Sequence, residues 1–445
     1  MPSAHPVRLT CTELGGDEER HVLQLPSATE HHTTVRGLKA NTRYGCEVEA
    51  LDAPHLRARA STLITAPLPF DLKTPELLVP NSNLAEMGYT LYNYGIYRGG
   101  FKNNYLVILD AKAQVRWYLP GPGAGDVDAS YLGNDKILYG GMSAAYYPPT
   151  LVGLDKVTQW KGTTTPVATY ENVGQVNHDA HLSADGKSIF LLNYATLDDY
   201  YLVYIVKQID LATNTVIWSW DSIADGLEKG ELPAGGSSSD LYHANSVFDQ
   251  WEDGKLYVYV GMRNLHRVLK LDYTSKAVVW RLGVNGDFKL LEADGTPATS
   301  NARWFFHQHD AKFVRPGLFS VYDNGTARSS YGGSNYTRGL QLQLDERAMT
   351  AQIVFEYKET GWNEAFWGGY DVLENGNSLI AMGHFSNGTA GHNSALVQVN
   401  PAGSVVWRAE FKSDKDAVYR AERIDGCEIF SNTDYCPALA DDLKP

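Results

Sequence analysis

The 445 residues exceed one ordinary compact domain and suit a large repeat-built body with a small accessory module. A net charge of −14 with no long run of Lys or Arg argues against nucleic acid and anionic bilayers as partners. With 43% hydrophobic residues, 41 glycines and many tyrosines and tryptophans, the composition predicts a turn-rich, all-β globular protein and excludes disorder.

In chain order, residues 5 to 67 alternate short strand-like runs, Val7-Arg-Leu-Thr-Cys and Val22-Leu-Gln-Leu among them, with turn-formers. The stretch ends in Gly37-Leu, Thr42-Arg-Tyr44 and a further alternating run, which resembles the tail of a fibronectin type III domain and implies a small β-sandwich over 1–67 whose tyrosine hydroxyl closes a strand corner. Ala66-Pro-Leu-Pro-Phe-Asp-Leu-Lys-Thr-Pro then reads as a stiff linker, residues 68–77.

From 78 to 445 a hairpin recurs: an apolar strand, Asp or Asn, a polar turn, then Val-x-Trp or a variant. It appears at Leu106 to Trp117, Val206 to Trp218, Val268 to Trp280, Leu340 to Phe355 and Leu396 to Trp407, with a worn copy at Leu151 to Trp160. Between these lie Gly-turn strands such as Asp185-Gly-Lys-Ser-Ile-Phe and Asn375-Gly-Asn-Ser-Leu-Ile. Two hairpins make a four-stranded blade, and repeats of about 45 to 70 residues predict a six-bladed β-propeller over 78–445.

Histidines fall just before these Gly-turn strands, where the chain should be nearest the central channel: His178, His243 with Asn245, His307 and His309, and His384. Taken singly, each is more simply a structural hydrogen-bonding group; their recurrence in register points to a site. Arg328, after the Tyr322-Asp-Asn-Gly turn, is expected to project beside them. Imidazoles with a guanidinium suit a small oxyanion, a phosphate or sulfate ester, better than a metal ion, so neither a metal nor a cofactor is expected. Tyr94, Tyr97, Tyr146, Trp304 and Trp367 are candidates for stacking on a flat substrate, although aromatic residues in blades are more often core.

Asp240-Leu-Tyr-His-Ala-Asn-Ser246, Phe306-His-Gln-His-Asp-Ala311, Tyr322-Asp-Asn-Gly-Thr-Ala-Arg328 and Met382-Gly-His384 together resemble the bacterial arylsulfate sulfotransferases, which use no nucleotide sulfate donor. The resemblance, over about 78 to 430, implies a six-bladed propeller preceded by a β-sandwich. It also implies transfer of a sulfuryl group from an aryl sulfate to a phenolic acceptor. His384 would be the transiently sulfated nucleophile, His309 and Arg328 would hold the sulfuryl oxygens, and His243 would assist by hydrogen bonding or proton transfer. As a channel residue, Arg328 would be dispensable for folding. Two other readings stay open: a propeller that binds anions without catalysis, and a relative redirected to sulfate-ester hydrolysis or to lyase or cyclase chemistry.

Cys11 and Cys46 near one end and Cys427 and Cys436 near the other suggest two local disulfides, one of three possible pairings. Paired cysteines imply a periplasmic or secreted protein. Met1-Pro-Ser-Ala-His is no signal peptide, so an export signal would lie outside this sequence, and no segment reaches the roughly 18 apolar residues of a membrane-spanning helix. A homodimer is compatible with the sequence.

Overall fold

A computed structural model describes residues 3–60, 62–80, 83–86, 88–97, 101–120, 126–133, 136–142, 150–158, 163–170, 176–197, 201–226, 240–383, 393–413, 415–424 and 430. The chain is all-β and propeller-like. Among the described residues, six antiparallel sheets follow one another after the N-terminal segment. Sheet I comprises Asp416–Ile424, Tyr89–Tyr97, Phe101–Leu109 and Val115–Pro120; sheet II comprises Asp126–Tyr131, Lys136–Met142, Thr150–Thr158 and Thr163–Thr169. Sheet III is Val176–Leu182, Ser188–Leu197, Tyr201–Asp210 and Thr215–Asp221, and sheet IV is Ala244–Glu252, Lys255–Met262, Arg267–Asp272 and Val278–Gly283. Sheet V contains His309–Arg315, Leu318–Asp323, Arg338–Asp345 and Thr350–Tyr357, with Lys289–Leu291 added in parallel at its outer edge. Sheet VI contains Gly369–Val372, Ser378–Met382, Ala395–Val399 and Val405–Glu410. The first strand of each sheet touches its neighbours in cyclic order, I against II and onward to VI against I, so the sheets close into a ring around these strands.

The recurring hairpin has a physical basis in each sheet. Its Asp or Asn bends the chain by accepting backbone N–H groups two or three residues on: Asp110 from Lys112 (2.8 Å), Asp210 from Thr213 (2.8 Å), Asp272 from Ser275 (2.7 Å), Asp345 from Ala348 (2.8 Å) and Asn400 from Ala402 (3.1 Å). A bulge directly precedes the Asp or Asn at Ile108/Leu109, Gln208/Ile209, Lys270/Leu271 and Gln398/Val399, and in sheet V it falls three residues before Asp345, at Gln341/Leu342. The tryptophan then fastens one sheet to the next: the indole N–H of Trp218 donates to Tyr273 O in sheet IV, and that of Trp407 to Ala111 O in sheet I, each at 2.8 Å. Trp117 and Trp280 are likewise buried. Burying such rings contributes most of the adhesion between sheets.

The N-terminal segment forms one sheet among the described residues, with Arg20–Ala28, His5–Glu13 and Arg43–Ala50 side by side and Arg57–Arg59 and Leu63–Ile64 both paired to the last. The Tyr44 hydroxyl accepts the Lys39 N–H at 3.0 Å, and Cys11 is bonded to Cys46 directly across two paired strands. Cys427 and Cys436 lie outside the described residues. This sheet is clamped to sheet I by Arg116, which grips both Glu19 oxygens (2.6 and 2.8 Å) and Asp110. The proline-rich stretch is packed rather than free: Leu72 is buried, Asp71 accepts the Tyr105 hydroxyl (2.7 Å), and Glu76–Val79 already pairs with Val405–Glu410 of sheet VI. No helix is long and apolar enough to cross a membrane among the described residues.

Candidate active site

In an up-and-down sheet the start of the first strand and the end of the second lie at the same end. The functional side chains gather at that rim. His178, His243 and His307 stand at or just before the first strands of sheets III, IV and V, and Trp367 just before that of sheet VI. All four have left-handed backbones, with φ of 59°, 50°, 50° and 67°. Non-glycine residues held there cost about 1–3 kcal/mol each and are concentrated at functional sites. Bulges follow within the first strands of sheets III, IV, V and I and turn adjacent polar side chains toward the axis.

Three imidazoles converge. The His178 ring lies 4.7 Å from that of His243 and 6.4 Å from that of His309, centroid to centroid, and His178 Nδ1 is 3.1 Å from the Tyr419 hydroxyl of the closing strand. His243 Nδ1 is 2.5 Å from Asp240, whose carboxylate also accepts the His243 N–H (3.1 Å) and the Tyr204 hydroxyl (3.1 Å). A carboxylate only accepts, so His243 carries its proton on Nδ1 and leaves Nε2 basic. His309 Nδ1 is 2.7 Å from Asn324 Oδ1. The Asn324 amide nitrogen donates to Trp367 O (2.9 Å), which fixes the amide and makes His309 Nδ1 the donor as well.

Burial holds these imidazoles neutral. His178 and His309 are pushed well below the usual histidine range by desolvation and then by neighbouring positive charge. His243 is lowered too, with burial outweighing the opposing pull of Asp240. His307 is lowered by burial and by Arg263; its Nδ1 lies 2.5 Å from Thr326 Oγ1 and its ring 4.8 Å from that of His266. Neutral imidazole nitrogen is the form that can attack an electrophile or take up a proton.

Arg420 forms the floor beneath the histidines. It bonds Asp128 (2.8 Å) and Asp179 (3.1 Å) through one nitrogen and Asn245 O (2.7 Å) through another, tying sheets I to IV across the axis. Beyond it the first strands enclose a separate cavity of about 410 Å³ lined by Asp310, Lys312, Asp371 and Glu422.

Other expected site residues lie elsewhere. Arg328 is not brought to the imidazoles: it is 1% exposed and bonds Asp323 (2.5 Å), Ala302 O (2.6 Å) and Trp304 O (2.8 Å), with its guanidinium over the Tyr336 ring. The charge that was to meet a sulfuryl group is met by Asp323, which Arg338 shares at 2.8 Å. Tyr94 and Trp304 are core: Tyr94 donates to Asp416 (2.8 Å) and stacks on Phe411, and Trp304 is buried in the cluster between sheets IV and V. Asn245 is fully buried and donates to Gln308 O (2.7 Å). Trp367 packs with Phe366, Ala417 and Tyr419 beside the histidines. Tyr146 and His384 lie outside the described residues, as does the side chain of Tyr97. The chain leading to 384 ends at this rim: the Gly383 carbonyl accepts Val418 N–H (3.0 Å), its N–H donates to Glu364 (3.1 Å), and Gly368 N–H donates to Tyr419 O (3.1 Å).

Sequence reasoning missed Asp240, Asn324 and Arg263. Asp240 lies three residues before His243, and Asn324 lies across a hairpin from His309. Arg263 follows the second strand of sheet IV as Gly383 follows that of sheet VI, and that positional match was the available signal.

Residues 87–420 match the family model described as arylsulfotransferase (ASST). No curated protein matches significantly in sequence. Among solved structures, the chain is similar to a protein of unknown function from Bacteroides caccae (11% identity, 76% of this chain and 98% of that one, TM-score 0.48). It is also similar to the periplasmic gluconolactonase PpgL of Pseudomonas aeruginosa (12% identity, 75% and 99%, TM-score 0.39).

Proposed function

Because this chain belongs to the arylsulfotransferase (ASST) family, we propose that it moves a sulfuryl group from an aryl sulfate to a phenol through a sulfated His384, without a nucleotide donor or a metal. The observation that carries the reading is the meeting of His178, His243 and His309, neutral and oriented, at the rim where the chain reaches Gly383.

In the first half-reaction a neutral imidazole nitrogen of His384 attacks sulfur. The N–S bond forms as the S–O bond to the phenol breaks, and the phenolate takes a proton that His243 Nε2, unprotonated at rest, has picked up from solvent as the anionic ester binds. In the second, an incoming phenol returns that proton to His243 while its oxygen takes the sulfuryl group from nitrogen. One group serves both steps, and the proton count closes. Asp240 supports this role, because its charge steadies the imidazolium that burial would otherwise disfavour. The loose transition state expected of sulfuryl transfer, by analogy with phosphoryl transfer, demands mainly positioning and charge stabilisation. His309 is oriented toward that task by Asn324. Trp367 supplies an aromatic wall beside Tyr419 for a flat substrate.

Residues 1–67 form an accessory domain in this reading, 68–77 the connection and 78–445 the catalytic ring. The Cys11–Cys46 disulfide supports a periplasmic or secreted location. Mass spectrometry after incubation with an aryl sulfate and no acceptor should find a sulfuryl adduct on His384, and His384→Ala should abolish transfer. Turnover with no adduct would eliminate the covalent route, and saturable binding of aryl sulfates without turnover would favour a binding module.

A further inference from the structure

We propose that Arg263 is the guanidinium that takes the sulfuryl oxygens; the inference rests on the arylsulfotransferase reading.

Arg423 also has no acid within ion-pair distance among the described residues but belongs to the separate cavity beyond Arg420, and the other arginines buried close to the histidines or between sheets IV and V meet acids. Arg328 pairs with Asp323, Arg338 with Asp323 and Glu356, and Arg420 with Asp128 and Asp179. Arg263 has no carboxylate within ion-pair distance among the described residues. Its terminal nitrogens donate to Asn264 Oδ1 (2.8 Å) and Ala365 O (3.1 Å), both neutral acceptors, and its buried Nε–H meets no acceptor. A guanidinium desolvated without a counter-ion is costly, so a site that keeps one is built to receive an anion. Burial depresses its proton affinity to about 10, with Asp240 opposing, so it remains charged at neutral pH.

Its position suits the chemistry. Arg263 opens the short turn after the second strand of sheet IV, at the histidine rim, and its N–H donates to His243 O at 3.1 Å. The contact to Ala365 carries the guanidinium across to the segment before Trp367. Its charge is the largest electrostatic influence on His307 and His309 after burial itself. The planar fork of Arg263 matches two oxygens of a sulfuryl group.

Benzenesulfonate, a stable monoanionic aryl probe, tests this by calorimetry on the full chain, alongside kcat/KM for 4-nitrophenyl sulfate. Arg263→Gln should weaken benzenesulfonate binding about 10- to 100-fold, as expected for lost charge-assisted hydrogen bonds. Arg263→Lys keeps the charge without the fork and should fall between. If the Gln variant does not fold, the Lys variant decides. Benzenesulfonate affinity within threefold of wild type in a folded variant, or no wild-type binding, would overturn the proposal. Arg263-dependent binding with no sulfuryl transfer by wild type would sink the transferase reading instead, and transfer indifferent to Arg263 would sink only this one.

Discussion

Replacing Arg328 by alanine separates a fold-holding arginine from a catalytic one. The substitution removes a guanidinium bonded to Asp323 and to two carbonyls, packed on Tyr336, and leaves Asp323 buried with Arg338 and the Phe306 N–H. Breaking a buried ion pair costs about 3–5 kcal/mol, and the surviving Arg338 contact puts this case near the lower end, about 3 kcal/mol. An unfolding entropy of about 2.1 cal/mol/K per residue gives about 0.9 kcal/mol/K for the 445-residue chain. The thermal midpoint should therefore fall by about 3 °C if the chain unfolds as one unit. Scanning calorimetry reads the shift, and kcat/KM for an aryl sulfate, corrected for folded fraction, should stay within threefold of wild type. An unchanged midpoint with collapsed kcat/KM would refute the assignment and return Arg328 to the catalytic group.

Asp240→Asn keeps the shape around His243 but removes the charge that favours its protonated form. Transfer should slow about 10- to 100-fold for poor phenol leaving groups, and the alkaline limb of the kcat/KM profile should move to lower pH, because the proton donor loses its proton sooner. An unmoved limb would remove Asp240 from the proton pathway. Glu364, buried beneath Gly383 and bonded to the Tyr322 hydroxyl, is pushed up to about 8 by burial against the opposing hydrogen bonds. Its folded pKa exceeds its unfolded one, so the stabilisation is complete below about pH 4.5 and is lost as pH rises through about 8. The decline in thermal midpoint between pH 5 and 9 should be shallower in Glu364→Gln, and parallel curves would contradict the raised pKa.

The hairpin repeat was legible because each element of it answers a local need: Asp210 and Asn400 turn the chain through their own side chains, and Trp218 and Trp407 fill and fasten the seam to the next sheet. His178, His243 and His309 were legible by register, since equivalent positions in successive sheets meet at the axis. Arg328 was misread because its partner, Asp323, lies five residues back in a strand that reads as ordinary alternation, and nothing in the spacing reveals that the two face each other. Tyr94 illustrates a similar limit. Alternation says that it leaves one face of its strand, while the packing of Phe411 decides that this face is core. Arg263 was overlooked because a lone arginine after a strand resembles solvated surface; only the absence of a carboxylate beside it distinguishes it.

Sheet I joins the strand Asp416–Ile424 to Tyr89–Tyr97, so residues more than 300 positions apart lie side by side, and that late strand also delivers Tyr419 to His178 and Arg420 to Asp128. Synthesis at about 5–20 residues per second makes this the last strand of the six sheets to emerge, tens of seconds after its partner. Until then Tyr89–Tyr97 is an open edge able to recruit another chain. Assembly of the active site and sealing of that edge are thus one event, and an incomplete chain is both inactive and prone to aggregate.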